Sequence, residues 1–331
     1  MYEFILDVMG SDDPRALVHG AAMAVNAYPD VKLLIPGREE LLRPMLDEEE
    51  YDSDRIVILP ADEVITNDES PTVALQQKKG ASVAVGIRHL RENDAVTGMI
   101  GAGNTGALLA GATLLLGRVK GVARPALAPV LPTFTGGNVC LVDAGANADC
   151  TPEMLQQFAL LGRALMQSCY GVEEPRVALV SNGTEDKKGN NLVHGAFPLL
   201  KETCPGFVGN MEARDVLSGE YDVLVCDGFT GNVLLKSLEG VLMGTMRYMK
   251  GVLAKNLPAG TDPTFIGKSL LQMKANFDFN ARGGALFIGV KKPVMKIHGS
   301  SNADTVLGAV GQMRNMVAGG FVERVTEAFR A

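Results

Sequence analysis

A glycine-rich turn, Gly101-Ala-Gly103-Asn104-Thr105-Gly106-Ala107, follows the apolar run Ala95–Ile100 and leads into the apolar segment Leu108–Leu116. Strand, turn and helix in that order aim unpaired backbone N–H groups at whatever sits above the turn, which is how helix N-termini hold phosphate. The spacing also fits the G-x-G-x-x-G dinucleotide fingerprint. That fingerprint needs an acidic residue about 20 residues on, for the ribose 2′-hydroxyl. Between Gly101 and Val142 there is no Asp or Glu; the first is Asp143. The turn therefore suits a bare anion better than a nucleoside. Arg118, Lys120 and Arg124 can still meet a 2′-phosphate, so a phosphorylated dinucleotide is only disfavoured.

Four more small-polar segments fall at the ends of apolar runs: Asp7-Val-Met-Gly10-Ser-Asp12, Asp143-Ala-Gly-Ala-Asn147, Ser181–Asn190 and Asp227-Gly228-Phe-Thr-Gly231-Asn232. Any one of them passes for an ordinary turn, because Gly, Asn and Asp supply turn geometry and helix caps. Five together exceed what capping demands and point to a cleft rich in amide and hydroxyl donors. Lys296-Ile-His298-Gly-Ser300-Ser301 adds a histidine in a Gly/Ser turn, able to protonate a leaving group or hold an oxyanion, or simply to bond local carbonyls. The other histidines, His19, His89 and His194, sit in helix-like stretches, and no G-x-S-x-G elbow occurs, which argues against a Ser-His-Asp hydrolase. Metal-ligand spacing is missing, as is the Lys-Ser/Thr pair of a Walker A loop. Cys226, at a strand end, is a candidate covalent nucleophile, with a buried strand cysteine the favoured reading.

These loops need a frame. The 331 residues are 47% hydrophobic, ample for a large buried core. A net charge of −7 argues against nucleic acid as a partner. Five scattered cysteines (Cys140, Cys150, Cys169, Cys204, Cys226) without a C-x-x-C pair fit a reduced, cytoplasmic compartment, and the N-terminus does not read as a signal peptide. Strands are expected at Phe4–Val8, Lys32–Ile35, Arg55–Leu59, Ala95–Ile100, Leu127–Leu131, Val139–Val142, Arg176–Val180, Gly206–Val208 and Asp222–Cys226. Helices are expected between them, at Pro14–Ala27, Glu39–Leu46, Thr72–Asn93, Gly106–Leu116, Pro152–Tyr170, Gly189–Lys201 and Asn232–Ala254. Such alternation predicts a single α/β domain over residues 1–331, three-layer α/β/α, with a mostly parallel sheet. From Asn232 the positions Leu235, Leu238, Leu242, Met246, Met249 and Leu253 recur at helical spacing, Pro258–Pro263 interrupts, and Thr264–Asn276 resumes. This predicts a protruding helical hairpin at about 232–277, whose apolar stripe suits a second copy in a two-fold dimer. Between Gly240 and His298 nine basic residues face only Asp262 and Asp278, which suits an anionic lipid or an acidic partner, or a solvated helix face.

The motifs Gly101–Ala107, Asn182–Asn190, Cys226–Val233 with Leu235-Lys236 and Glu239-Gly240, and Lys296–Ser301, in this order, resemble the acyl-acyl-carrier-protein:phosphate acyltransferase (fatty-acyl phosphate synthase) family. Arg124-Pro-Ala126 and Asp143–Asn147 agree, and the match runs nearly end to end. One departure is Asp7-Val-Met-Gly-Ser-Asp12, where the family usually has Asp-Ala-Met-Gly-Gly-Asp; Ser11 weakens the contact if that glycine needs positive φ. The resemblance implies a fold similar to isocitrate and isopropylmalate dehydrogenases, a homodimer, and acyl transfer from acyl carrier protein to inorganic phosphate. It also implies loose membrane association, with hand-over of acyl phosphate to a membrane acyltransferase. No cofactor or metal is called for, because phosphate is itself the nucleophile. The catalytic candidates are His298, Asn104, Thr105, Asp227, Asn232 and Lys188. The phosphate- and substrate-binding candidates are Asp7, Gly10, Gly101, Gly103, Gly106, Asn147, Asn182, Thr184, Gly228, Gly231, Lys236, Lys296 and Ser300. The competing readings are an NAD(P)-dependent dehydrogenase, a coenzyme A-dependent phosphotransacylase, and a non-catalytic phosphate or acyl sensor.

Overall fold

The computed structural model describes residues 1–256, 263–276 and 283–330. The N-terminal half alternates β1 (Tyr2–Asp7), α1 (Pro14–Ala27), β2 (Val31–Gly37), α2 (Glu39–Leu46), β3 (Ile56–Pro60), α3 (Pro71–Gln77), α4 (Ser82–Glu92), β4 (Val96–Gly101) and α5 (Thr105–Gly111). There follow β5 (Ala126–Ala128), β6 (Val130–Pro132), β7 (Asn138–Val142), α6 (Pro152–Tyr170), β8 (Val177–Ser181), α7 (Asn191–Thr203), β9 (Phe207–Glu212) and β10 (Val223–Val225). The chain then runs through α8 (Gly228–Lys255), α9 (Pro263–Asn276), β11 (Ala285–Ile288), β12 (Val294–Lys296), α10 (Ala303–Ala318) and α11 (Phe321–Ala328).

The strands form two sheets where the sequence pattern suggests one. The first has the order β3-β2-β1-β4-β12-β11-β5, parallel except where β11 runs against both neighbours; the second is β6-β7-β10-β8-β9, parallel except for β6. Period-two alternation splits β1 between two cores. Phe4 and Leu6 face α1 and α10, whereas Ile5 faces α4 and α5. The first of these cores continues through α6 to Val177, Leu179, Val223 and Val225, so one helical layer joins the sheets. The far face of the second sheet (Leu131, Leu141, Leu224) is covered by Leu235 of α8.

The strand expected at Leu127–Leu131 is cut in two. Pro129 has no N–H to give a ladder, and the chain changes sheets there. Asp143 Oδ1 takes the Leu127 N–H at 2.9 Å, and the Leu141 N–H bonds Pro129 O at 3.0 Å. The single helix expected at Thr72–Asn93 is likewise two, because Glu63 draws the chain out between them. Its carboxylate accepts from Gly80 N (3.2 Å), and its carbonyl accepts from Ser82 N (3.0 Å). α7 starts two residues later than expected, since Gly189 sits at φ +116°. α8 starts four residues earlier, at Gly228, because the Asp227 carboxylate caps it by accepting from Thr230 N at 2.8 Å. β11 and β12, three or four residues long between glycines and Lys-Lys-Pro, carry too short a pattern to be read from sequence.

α8 and α9 pack together as the hairpin. Leu238 and Leu242 rest on the core, whereas Val241, Tyr248 and Val252 are exposed. The interrupting segment up to Asp262, the tip residue Leu257, and Asp278 and Arg282 lie outside the described residues, as do the side chains of Phe265 and Lys274. Lys292 is turned inward, donating to the carbonyls of Leu90, Asn93 and Val96, so the basic run does not form one surface. No helix among the described residues is long and apolar enough to cross a membrane.

Candidate active site

Ligands collect where neighbouring parallel strands send their connections to opposite faces of a sheet. β1 and β12 lead to α1 and α10 on one face of the first sheet, and β4, lying between them, leads to α5 on the other. The Gly101 turn therefore stands between two such crevices. In the second sheet β7 and β8 lead to α6 and α7 on one face, while β10, again between them, leads to α8 on the other. The N-termini of α5 and α8 occupy equivalent places in the two sheets.

The three loops of the first sheet are tied to one another. Ala102 N donates to Asp7 O (3.0 Å), Ile297 N to Gly101 O (3.0 Å) and Asp12 N to Gly299 O (2.8 Å). Gly10, at φ +79°, lets its loop lie against Gly103, where a Cβ would stand 3.0 Å from Met9 O. Ser11 needs no positive φ and donates its hydroxyl to Val8 O at 2.7 Å, so the departure from the family pattern is absorbed locally. Asp7, Gly101 and Lys296 stand at one register level on adjacent strands. Burial pushes the Asp7 carboxyl up to about 7, against hydrogen bonds from Ser82 and the Met9 N–H and the positive charge of Lys296. Burial likewise pushes the Lys296 ammonium down to about 8, against the charges of Asp7 and Asp12. Lys296 Nζ donates to Ala102 O (2.9 Å) and to Ile297 O.

Between the sheets lies a cleft of about 190 Å³. Thr105 opens α5 on one side, Asn232, Lys236 and Glu239 line the α8 side, and Lys296 and His298 close the end. Its remaining wall is apolar, built from Leu127, Val130, Leu131 and Leu235. Asn104 is spent on structure: Oδ1 accepts from Ala107 N and Nδ2 donates to Thr66 O, both at 2.8 Å. The open donors of the turn are thus the N–H groups of Thr105 and Gly106 and the exposed Thr105 hydroxyl. Lys236 is paired with Glu239 at 2.8 Å. His298 stands on the rim with its acidity raised. Lost solvation and the charges of Lys236 and Lys296 lower its pKa, opposed by Glu239, so the neutral imidazole is favoured.

Other expected residues serve the frame. Asp143, buried, accepts from Leu127 N, Ala146 N, Asn147 N and Asn147 Nδ2. Asn147 O takes the Gly228 N–H at 2.7 Å, and a Cβ on Gly231 would lie 1.9 Å from Asp143 O. These contacts fill the crevice between β7 and β10, leaving Gly228 and Gly231 as close-approach positions. Gly106 packs on Pro71, where a Cβ would lie 2.5 Å away. Asn182 and Asp227 line a separate crevice on the other flank of α8, and exposed Thr184 and Lys188 belong to its loop. Ser300 is exposed beyond His298 and does not line the cleft. The Cys226 thiol is buried and donates to Asp143 O at 3.5 Å, and burial holds its pKa well above the ordinary value, which keeps it a thiol. Ser82 and Glu239 were missed as site residues. Glu239, one turn past Lys236 and two turns past Asn232 on the same face of α8, carried a periodicity signal; Ser82 carried none.

A family model described as "Fatty acid synthesis protein" matches residues 3–324. A phosphate acyltransferase of Caldanaerobacter subterraneus subsp. tengcongensis is 40% identical over 323 residues, covering 97% of this chain and 96% of that one. A phosphate acyltransferase of Geobacillus thermodenitrificans is 43% identical over 314 residues, covering 95% and 94%. Among solved structures, a phosphotransacetylase from Streptococcus pyogenes superposes with a TM-score of 0.62 at 14% identity, covering 96% of this chain and 94% of that one, a likeness of fold.

Proposed function

The chain belongs to the fatty acid synthesis protein family and is an acyltransferase, and from that premise we propose that it moves a long-chain acyl group from acyl carrier protein to inorganic phosphate. The observation that carries this reading is the cleft itself: an open helix N-terminus at Thr105, with Lys296 and Lys236 lining the same cleft as an apolar wall. Phosphate sits at the α5 N-terminus, with Lys296 and Lys236 offsetting its charge. One phosphate oxygen attacks the thioester carbonyl while Thr105 and Asn232 donate to the oxyanion. The C–O bond forms, the C–S bond breaks, and its electron pair leaves on sulfur. The neutral His298 imidazole takes the phosphate proton and passes it to that sulfur, so the products are acyl phosphate and a free thiol. The apolar wall at Leu127 to Leu131 receives the first carbons of the chain.

The same proposal includes the surroundings. Exposed Arg247, Lys250, Lys255 and Lys268 on the hairpin attract an acidic carrier protein. The exposed apolar face of α8 receives a second copy, and the hairpin tip touches the membrane where a membrane acyltransferase takes the product.

Incubation of acyl carrier protein charged with a long-chain acyl group with phosphate is expected to give the acyl phosphate resonance in ³¹P NMR only when the enzyme is present. Absence of acyl phosphate with every donor tried sinks the proposal. His298→Ala is expected to lower kcat about 100-fold, measured by thiol release; full turnover in that variant removes the proton-transfer role.

A further inference from the structure

The crevice between β8 and β10 is unused by this reaction scheme, yet it is the roomier one: about 420 Å³ against about 190 Å³ at Thr105. It lies at a point where β8 and β10 send their connections to opposite faces, the position at which doubly wound sheets bind ligands. Leu155, Leu192 and Val193 give it an apolar floor, while Ser181, Asn182 and Thr230 present hydroxyl and amide groups. Among the described residues the Ser181 Oγ, buried, has no hydrogen-bond partner. A buried hydroxyl left unpaired costs free energy that an occupant recovers.

The charges decide what kind of occupant. Asp227 is in the wall, its carboxylate accepting from Thr230 N and Oγ1 at 2.8 and 2.7 Å, and among the described residues no lysine or arginine lines the crevice. That arrangement disfavours phosphate and favours an uncharged body with amides, a hydroxyl and apolar carbons. Its rim is built in advance. Asn190 caps α7 by accepting from Val193 N at 3.0 Å, and Asn210 Nδ2 holds the carbonyl of Glu185 at 2.8 Å.

Amides and a hydroxyl on an apolar backbone describe the pantetheine arm, which carries acyl thioesters on carrier proteins and on coenzyme A alike. We propose that the crevice between β8 and β10 seats the pantetheine arm of the acyl donor. Asp227 and Thr230 face this crevice, and Asn232 and Lys236 face the Thr105 cleft, so the arm crosses one helix width, about 10 Å, to present its thioester to phosphate. This assignment rests on the reading of the chain as a transferase of thioester-borne acyl groups.

Two variants test it. Ala213→Trp blocks the rim from an exposed position, and Ser181→Ala removes a hydroxyl that no protein group uses. Free pantetheine, followed by saturation-transfer NMR, is expected to bind the wild type and not Ala213→Trp, and to bind Ser181→Ala about five- to tenfold more weakly, the loss of one hydrogen bond. In turnover both variants are expected to raise KM for acyl carrier protein and for acyl-coenzyme A, with KM for phosphate unchanged. Equal pantetheine binding in wild type and Ala213→Trp overturns the assignment. So does a rise confined to acyl carrier protein, which points to contact with the carrier's own surface. If no donor yields acyl phosphate, the transferase reading falls, while pantetheine binding still decides the occupant of the crevice.

Discussion

Asp7 and Lys296 stand on either side of Gly101, and the absence of a side chain there leaves the two charges facing across one strand. Their titrations pull stability in opposite directions. Asp7 holds its proton up to about 7 in the fold but only to 3.8 when unfolded, so between those values the folded state binds more protons and stability falls as pH rises. Lys296 loses its proton near 8 in the fold and near 10.5 when unfolded, so over that window stability rises with pH. The pair therefore contributes a minimum between about pH 7 and 8, where both are charged and phosphate needs the cation. Thermal melts across pH 4 to 10 are expected to lose the acid-side decline in Asp7→Asn while keeping the alkaline-side rise. A melt profile identical to wild type removes Asp7 from the pair. Glu239→Gln frees Lys236 from its ion pair and is expected to lower KM for phosphate about two- to threefold; an unchanged or raised KM shows that Lys236 does not meet phosphate.

The helix starts that border the cleft are fixed by single residues, and these were partly legible in the sequence. Thr151-Pro152 and Asp13-Pro14 announce α6 and α1, because an N-cap followed by proline is pre-organised for a first turn. Gly101–Gly106 was legible as a strand–turn–helix junction, with Gly101 ending β4 and Asn104 capping α5. Asp227 was legible as part of a strand-end loop but not as the cap that starts α8, since Gly228 and Gly231 argue locally against helix. Their helical place follows from the loop at Asp143–Asn147 pressing against them, a long-range contact that no local pattern encodes. For the same reason the five loops looked like one cleft, whereas α8 divides them into two. Gly231→Ala is expected to destabilise by about 2 kcal/mol, read by chemical denaturation, because a methyl group there collides with the backbone at Asp143. A neutral result would mean that α8 tilts freely.

At the scale of the molecule, two sheets share one helical layer, and the hairpin carries an apolar face that this layer does not cover. If that face receives the second copy proposed above, Val241→Asp combined with Tyr248→Asp lowers the sedimentation coefficient from that of a dimer to that of a monomer; a wild type that sediments as a monomer, or a variant that sediments as the wild type does, removes this face as a dimer interface. The order of strands has a further consequence, for biosynthesis. The second sheet is drawn from a continuous stretch, Val130 to Val225, and is complete as soon as that stretch has left the ribosome. In the first sheet β4 is the edge strand until β12 arrives, almost 200 residues later, between it and β11. During elongation Val96–Gly101 thus offers an unpaired parallel edge to other chains and to holding chaperones. The strand that ends this exposure also brings Lys296 and His298, so a nascent chain closes its first sheet and completes the Thr105 cleft in a single late step.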